Sequence, residues 1–186
     1  MRLGAFLALL LVASVPAAAG EPVWHVCFTP GQDCTGVVDR EIGQARQSIL
    51  VQAYSFTSRP ILSALRAARA RGVDVEVIVD KVAARRSAKG SRYNAATYLV
   101  NAGIPVWVDA QVAIAHNKVM VIDDSVLITG SFNFTAAAQH RNAENLLVVR
   151  DRSLAASYRS NWERRRRASV AFDAEAPEPA AAPERE

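Results

Sequence analysis

The chain has little with which to build a metal centre: two cysteines and three histidines in 186 residues. Cys27 and Cys34, even with His25 and the distant His140, are too sparse a set for a structural zinc site. No Gly-rich loop of the Walker or dinucleotide type is present, which removes the commonest sequence signals for a bound nucleotide. No internal repeat is visible either. The longest apolar run, "LGAFLALLLVASV", is too short for a comfortable membrane span.

That run reads instead as an export signal. Arg2 supplies a short basic start, the run an apolar centre, and Pro16 followed by "AAA" a small-residue cleavage pattern. Residues 1–20 are expected to be a cleaved signal peptide, with the cut after Ala19 or Gly20; an uncleaved anchor is the alternative. The mature protein is then expected to be periplasmic or secreted, with no transmembrane segment. Two nearby cysteines in an oxidising compartment are expected to form a Cys27–Cys34 disulfide rather than to bind metal. At the other end, "DAEAPEPAAAPERE" (173–186) has no apolar periodicity and is expected to be a disordered acidic tail. One folded domain, 21–172, remains. Without the two ends the chain has 20 Lys and Arg against 13 Asp and Glu, a net charge near +7. An anionic partner follows, either nucleic acid or an anionic membrane surface.

Within the domain, helical and strand periodicities alternate. "TGVVDREIGQARQSI" predicts a helix capped by Thr35, and "ILVQAYSF" a short strand. "SRPILSALRAARARG" predicts a helix with Pro60 in its first turn and Gly72 as its stop. "VDVEVIVD" is a strand, and Lys81 to Ser91 a polar, basic loop. "RYNAATYLVNAG" is a helix and "IPVWVD" a strand. "HNKVMVID" and "SVLITGS" are strands joined by a tight turn at Asp123-Asp124-Ser125. "NAENLLVV" is another strand. "RSLAASYRSNWERRRR" is a helix whose four terminal arginines, Arg164 to Arg167, complement its dipole. The order predicts an α/β sandwich: a mixed sheet, with parallel strands in its first part, flanked by helices.

One stretch concentrates polar groups in an apolar frame. His116 and Lys118 are two apart, so on a strand they share a face. Ser131 and Asn133 repeat that spacing on the strand that folds back beside the first. Gly130 removes a side chain where a substrate could approach the backbone. The set suits a phosphate: Lys118 offers an ammonium, Asn133 an amide and Ser131 a hydroxyl. His116 can attack phosphorus or donate a proton, because imidazole exchanges protons near neutral pH. Glu144 could orient the ring through its other nitrogen, as carboxylates do in catalytic triads.

These residues resemble the phospholipase D superfamily. "HNKVMVID" matches its HxKxxxxD signature, "GSFN" its GSxN, and "NAEN" places Glu144 at the family's acidic position. The likeness runs from Val23 to Arg167 and is closest to the small, single-motif bacterial endonucleases of that superfamily. It implies a phospholipase D/nuclease-like sandwich and a metal-independent phosphodiesterase without cofactor, working through a phosphohistidine. It implies catalytic roles for His116, Lys118, Asn133 and Glu144, and a structural role for Asp123 away from the reacting centre. The chemistry uses two histidines on opposite sides of phosphorus, and the chain has one motif. A homodimer sharing one active site is therefore expected, each subunit giving one His116.

Two substrates and one inactive form are distinguishable. A low-specificity endonuclease on DNA or RNA fits the basic charge and a groove lined by Arg85, Arg86, Lys89 and Arg92. A phospholipase D acting on phosphatidyl lipids would want an apolar rim; Phe132, Phe134 and Trp107 are its candidates, though such residues usually pack in a core, and no exposed apolar segment is expected. A non-catalytic nucleic-acid-binding module is the third reading, disfavoured because every motif position is filled.

Overall fold

The computed structural model describes residues 23–84 and 94–173. The expected signal segment, the groove residues Arg85, Arg86, Lys89 and Arg92, and all of the tail but Asp173 lie outside the described residues.

The strands are β1 (Val23–Thr29), β2 (Ser48–Ala53), β3 (Asp74–Asp80), β4 (Val106–Asp109), β5 (Lys118–Ile122), β6 (Val126–Gly130), β7 (Glu144–Arg150) and β8 (Val170–Ala171). The helices are α1 (Cys34–Gln44), α2 (Arg59–Ala70), α3 (Lys81–Ala84), α4 (Ala95–Asn101), α5 (Ala136–His140) and α6 (Arg152–Ala168). The eight strands form one mixed sheet in the order β1-β7-β6-β5-β2-β3-β4-β8. β2, β3 and β4 are parallel, as expected of strands linked by helices; the remaining pairings are antiparallel.

Both faces of the central strands are covered, so β5 reads as a continuous apolar run rather than an alternation. Val51, Val77, Met120, Ile122 and Ile128 face the larger core, with Val38, Ile42, Leu62 and Leu65 of α1 and α2. Leu50, Ile78, Val119, Val121 and Leu127 face α6 through Ala155 and Trp162. Trp162 Nε1 also donates to Val51 O at 2.9 Å.

Four elements were not expected. β1 carries Cys27, whose disulfide to Cys34 ties this edge strand to α1; the sulfurs are thus not metal ligands. The α1 cap is Asp33, which accepts from Gly36 N–H, and not Thr35. α3 occupies the start of the stretch read as a loop, α5 follows the GSFN stretch, and β8 adds to β4. All three new helical or strand pieces besides β1 are five residues or fewer, too short for a periodicity to show. α6 packs against β6, β5, β2 and β4, with at most marginal contact at the β1 edge of the sheet. Trp24 and Phe28 stand 65% and 53% exposed there, contrary to the expectation of no exposed apolar surface.

Candidate active site

The pairing register gathers one end of the sheet. β2, β3, β4 and β6 finish there at Ala53, Asp80, Asp109 and Gly130, while β5 and β7 begin there at Lys118 and Glu144. Ligand sites of α/β sheets lie outside the carboxyl ends of parallel strands, which is this edge.

His116 lies two residues before β5 and is exposed. Its ring meets that of Tyr54 with centroids 4.5 Å apart, tilted by 56°. Lys118 opens β5 opposite Ala53 and is 7% exposed. Its Nζ donates to His116 O at 2.8 Å and stands 5.0 Å from the Tyr54 ring centre. Burial holds this ammonium below the usual lysine range, and the Glu144 carboxylate draws it part of the way back. Glu144 opens β7, half-buried, and accepts from Asn142 Nδ2 at 2.9 Å. Glu144 is thus bonded to Asn142 and has Lys118 as its charge partner; among the described residues it makes no bond to the His116 ring.

The GSFN stretch alternates as expected, with a different consequence. Phe132 and Phe134 are fully buried, so neither is a rim residue. Phe134 stacks edge-on against Phe56, and its carbonyl accepts from Thr57 and Ser58 N–H, which fastens this stretch to the end of β2. Trp107 is half-buried against Trp162 and carries Arg166 4.4 Å above its ring. Ser131 Oγ accepts from Asn145 N–H and Nδ2, at 3.0 and 3.3 Å. Asn133 Oδ1 is buried with no hydrogen-bond partner among the described residues. An orphaned buried polar atom in this stretch marks a place built for something besides packing.

Gly130 has another reason than substrate access. Its φ is +150°, and a Cβ there would stand 2.3 Å from Asn145 O. The neighbouring strand fills the space, so glycine is required by packing.

Asp123 belongs to the opposite end of the sheet. Asp123 and Asp124, with φ of 50° and 53°, form the tight turn between β5 and β6. The Asp123 carboxylate accepts from Arg46, Gln47 and Ser48 N–H at 2.9, 2.8 and 3.0 Å, fixing the start of β2. β5 runs from Lys118 to Ile122, so Asp123 is five residue steps from Lys118, roughly 17 Å at the strand rise. We expect Asp123→Asn to keep the turn and lose part of this acceptor set, lowering stability by about 2 kcal/mol. Turnover per folded molecule, measured well below the melting point, should stay within about twofold of wild type. A loss of turnover larger than the unfolded fraction would place Asp123 in the chemistry instead.

Tyr54, Asp80 and Asn145 belong to the site's frame and were given no role from sequence. Tyr54 and Asn145 stand inside the stretches "ILVQAYSF" and "NAEN", but only the fold shows what they touch. His25 lies on β1 and His140 closes α5, both exposed. No cluster of three or more metal-ligating side chains occurs among the described residues.

Residues 38–166 match the family described as "Cardiolipin synthase, PLD-like domain". The chain belongs to the phospholipase D superfamily. It is 44% identical over 140 residues to the "Phospholipase D" of Rickettsia felis, covering 75% of this chain and 68% of that one. It is 32% identical over 156 residues to the "Mitochondrial cardiolipin hydrolase" of Canis lupus familiaris, covering 83% of this chain and 59% of that one. The crystal structure of Nuc, a phospholipase D family member from Salmonella typhimurium, superposes with a TM-score of 0.73 at 36% identity, over 82% of this chain and 99% of Nuc. The superfamily makes the protein a phosphodiester hydrolase on an α/β domain with a mixed eight-stranded sheet.

Proposed function

We infer that the protein is an exported, metal-independent endonuclease of low sequence specificity, acting as a homodimer. The observation that carries the chemistry is the His116–Lys118 pair at the sheet edge, with the ammonium buried beside Glu144. In the proposed reaction His116 attacks phosphorus, a P–N bond forms, and the P–O bond to the leaving group breaks. His116 of a second subunit gives that oxygen its proton. It then takes a proton from water, which attacks phosphorus and releases the phosphomonoester as the P–N bond breaks. Lys118 and Asn133 hold the phosphoryl oxygens.

A single His116 in each chain supports the dimer, and uncovered Trp24 and Phe28 offer apolar surface for a self-complementary contact. The Cys27–Cys34 disulfide supports export. The basic charge and the length of match to Nuc support nucleic acid as substrate.

A second reading, a phospholipase D on phosphatidyl lipids, is favoured by a specific feature. Val82, just past β3, and Ile114, two residues before His116, are each 57% exposed at the site's end of the sheet. These are different residues from the apolar rim expected from sequence. One experiment separates the readings: the mature protein, in chelator, is given plasmid DNA and labelled phosphatidylcholine in parallel, with its mass in solution read by light scattering. Plasmid cleavage by a dimer, weakening steeply with salt, is expected. Lipid turnover without DNA cleavage would establish the second reading. Full activity from a monomer would overturn the shared site.

A further inference from the structure

His116 has few restraints of its own. Its ring meets Tyr54 and its carbonyl accepts from Lys118, but the residue is exposed. What holds it is the loop 110–117, and that loop is tied from below by charged side chains. Asp109 Oδ1 accepts from Gln111 N–H at 3.3 Å, Lys81 Nζ donates to Val112 O at 3.1 Å, and Asp80 Oδ2 accepts from Ala115 N–H at 2.8 Å. Asp80 and Asp109 are paired in register at the ends of β3 and β4, and each is 1% exposed.

Asp109 is itself fixed from α6. Arg165 donates from Nε to Oδ2 at 2.7 Å and from Nη2 to Oδ1 at 2.6 Å. A planar fork on a carboxylate sets its orientation as well as its position, which a lysine cannot do. Ser169 Oγ donates back to Arg165 O at 2.9 Å, so the fork springs from a closed helix end. α6 has other means of holding to the sheet: Trp162 is 3% exposed and bonded to Val51 O, and β8 continues from the helix to pair with β4. A buried ion pair is in general weak evidence for stability. This one sits at the root of the loop that carries the nucleophile.

We propose that Arg165 is a positioning residue: through Asp109 it fixes the root of loop 110–117, and with it the His116 imidazole. The proposal rests on the reading of His116 as the nucleophile. The competing role is simple anchoring of α6, whose loss would lower stability and leave the folded protein's kinetics alone.

The test uses Arg165→Ala and Arg165→Lys in the mature protein, with bis(p-nitrophenyl) phosphate as the probe, well below each variant's melting point. A displacement of the order of 1 Å in a reacting group costs up to about 10²-fold in rate. We expect kcat of Arg165→Ala to fall about 10- to 100-fold with KM within about threefold. Guanidinium at low millimolar concentration, filling the vacated fork, should restore much of that loss. Arg165→Lys should show the same fall, since it keeps the charge and loses the fork, and it carries the test if Arg165→Ala does not fold. The second readout needs no turnover: the Cε1–Hε1 signal of His116 in a carbon–proton correlation spectrum, identified by its absence in His116→Asn. It should broaden or divide in both variants, and sharpen in Arg165→Ala when guanidinium is added. If the wild type cleaves no phosphodiester, the functional reading fails and this signal alone judges the positioning. Wild-type kcat in both variants, or an unchanged His116 signal, would overturn the proposal.

Discussion

His116→Asn should lower phosphodiester turnover by at least about 10⁴-fold, on the scale seen when a covalent nucleophile is removed from an enzyme. The size follows from the geometry as much as from the chemistry. His116 is exposed at the sheet edge and makes no side-chain hydrogen bond among those described, so its loss removes no support from the core. The variant should therefore melt within a degree or two of wild type. The measurement is steady-state turnover of bis(p-nitrophenyl) phosphate beside thermal denaturation of the same sample. Residual turnover within tenfold of wild type would remove His116 from the reaction.

Lys118→Met should separate function from stability in opposite directions. Turnover should fall about 10²- to 10³-fold, the usual cost of removing a group that stabilises developing charge. Stability should move the other way. Burial holds the Lys118 ammonium below its ordinary value of 10.5, so charging it is less favourable in the folded chain than in the unfolded one. That cost is fully present below the folded-state value. It is relieved as the pH rises through that value toward 10.5 and the amine becomes neutral in the folded chain first. Lys118→Met should accordingly melt higher than wild type at pH 7, and the two melting temperatures should converge in the alkaline range. A lower melting temperature for the variant at neutral pH would mean that the bond to His116 O and the Tyr54 contact outweigh the desolvation.

The motif residues could be read directly because their spacing carries their geometry. Two-residue separations suggested that His116 pairs with Lys118, and Ser131 with Asn133, on shared strand faces; in the fold His116 precedes β5, and Ser131 and Asn133 follow β6, so of the four only Lys118 is on a strand. The central strands were legible for the same reason, since long Val- and Ile-rich runs with turn signals leave few alternatives. β1 was not, because Val23, Trp24 and His25 are all exposed and burial alternates only from Cys27 to Thr29. Its position beside β7 is a long-range pairing that no local pattern encodes. Gly130 was seen as special for the wrong reason: its neighbour across the sheet, Asn145, is 15 residues away in sequence. Glu144 was expected to orient the His116 ring; it opens β7 at this edge, and its links are to Lys118 and Asn142. The frame around His116 was invisible for a similar reason. Asp80, Asp109 and Arg165 come from three separate stretches, and each alone looks like an ordinary charge at the end of an element.

The most direct test of a histidine-centred phosphodiesterase is to look for the covalent intermediate itself. Wild-type protein is mixed rapidly with saturating bis(p-nitrophenyl) phosphate in chelator, stopped in alkali, where phosphoramidates survive, and digested for mass spectrometry. The account predicts one modified peptide, carrying the substrate less its leaving alcohol on His116, and no modification in His116→Asn. Continued turnover with the His116 peptide unmodified and the adduct on another residue would contradict it.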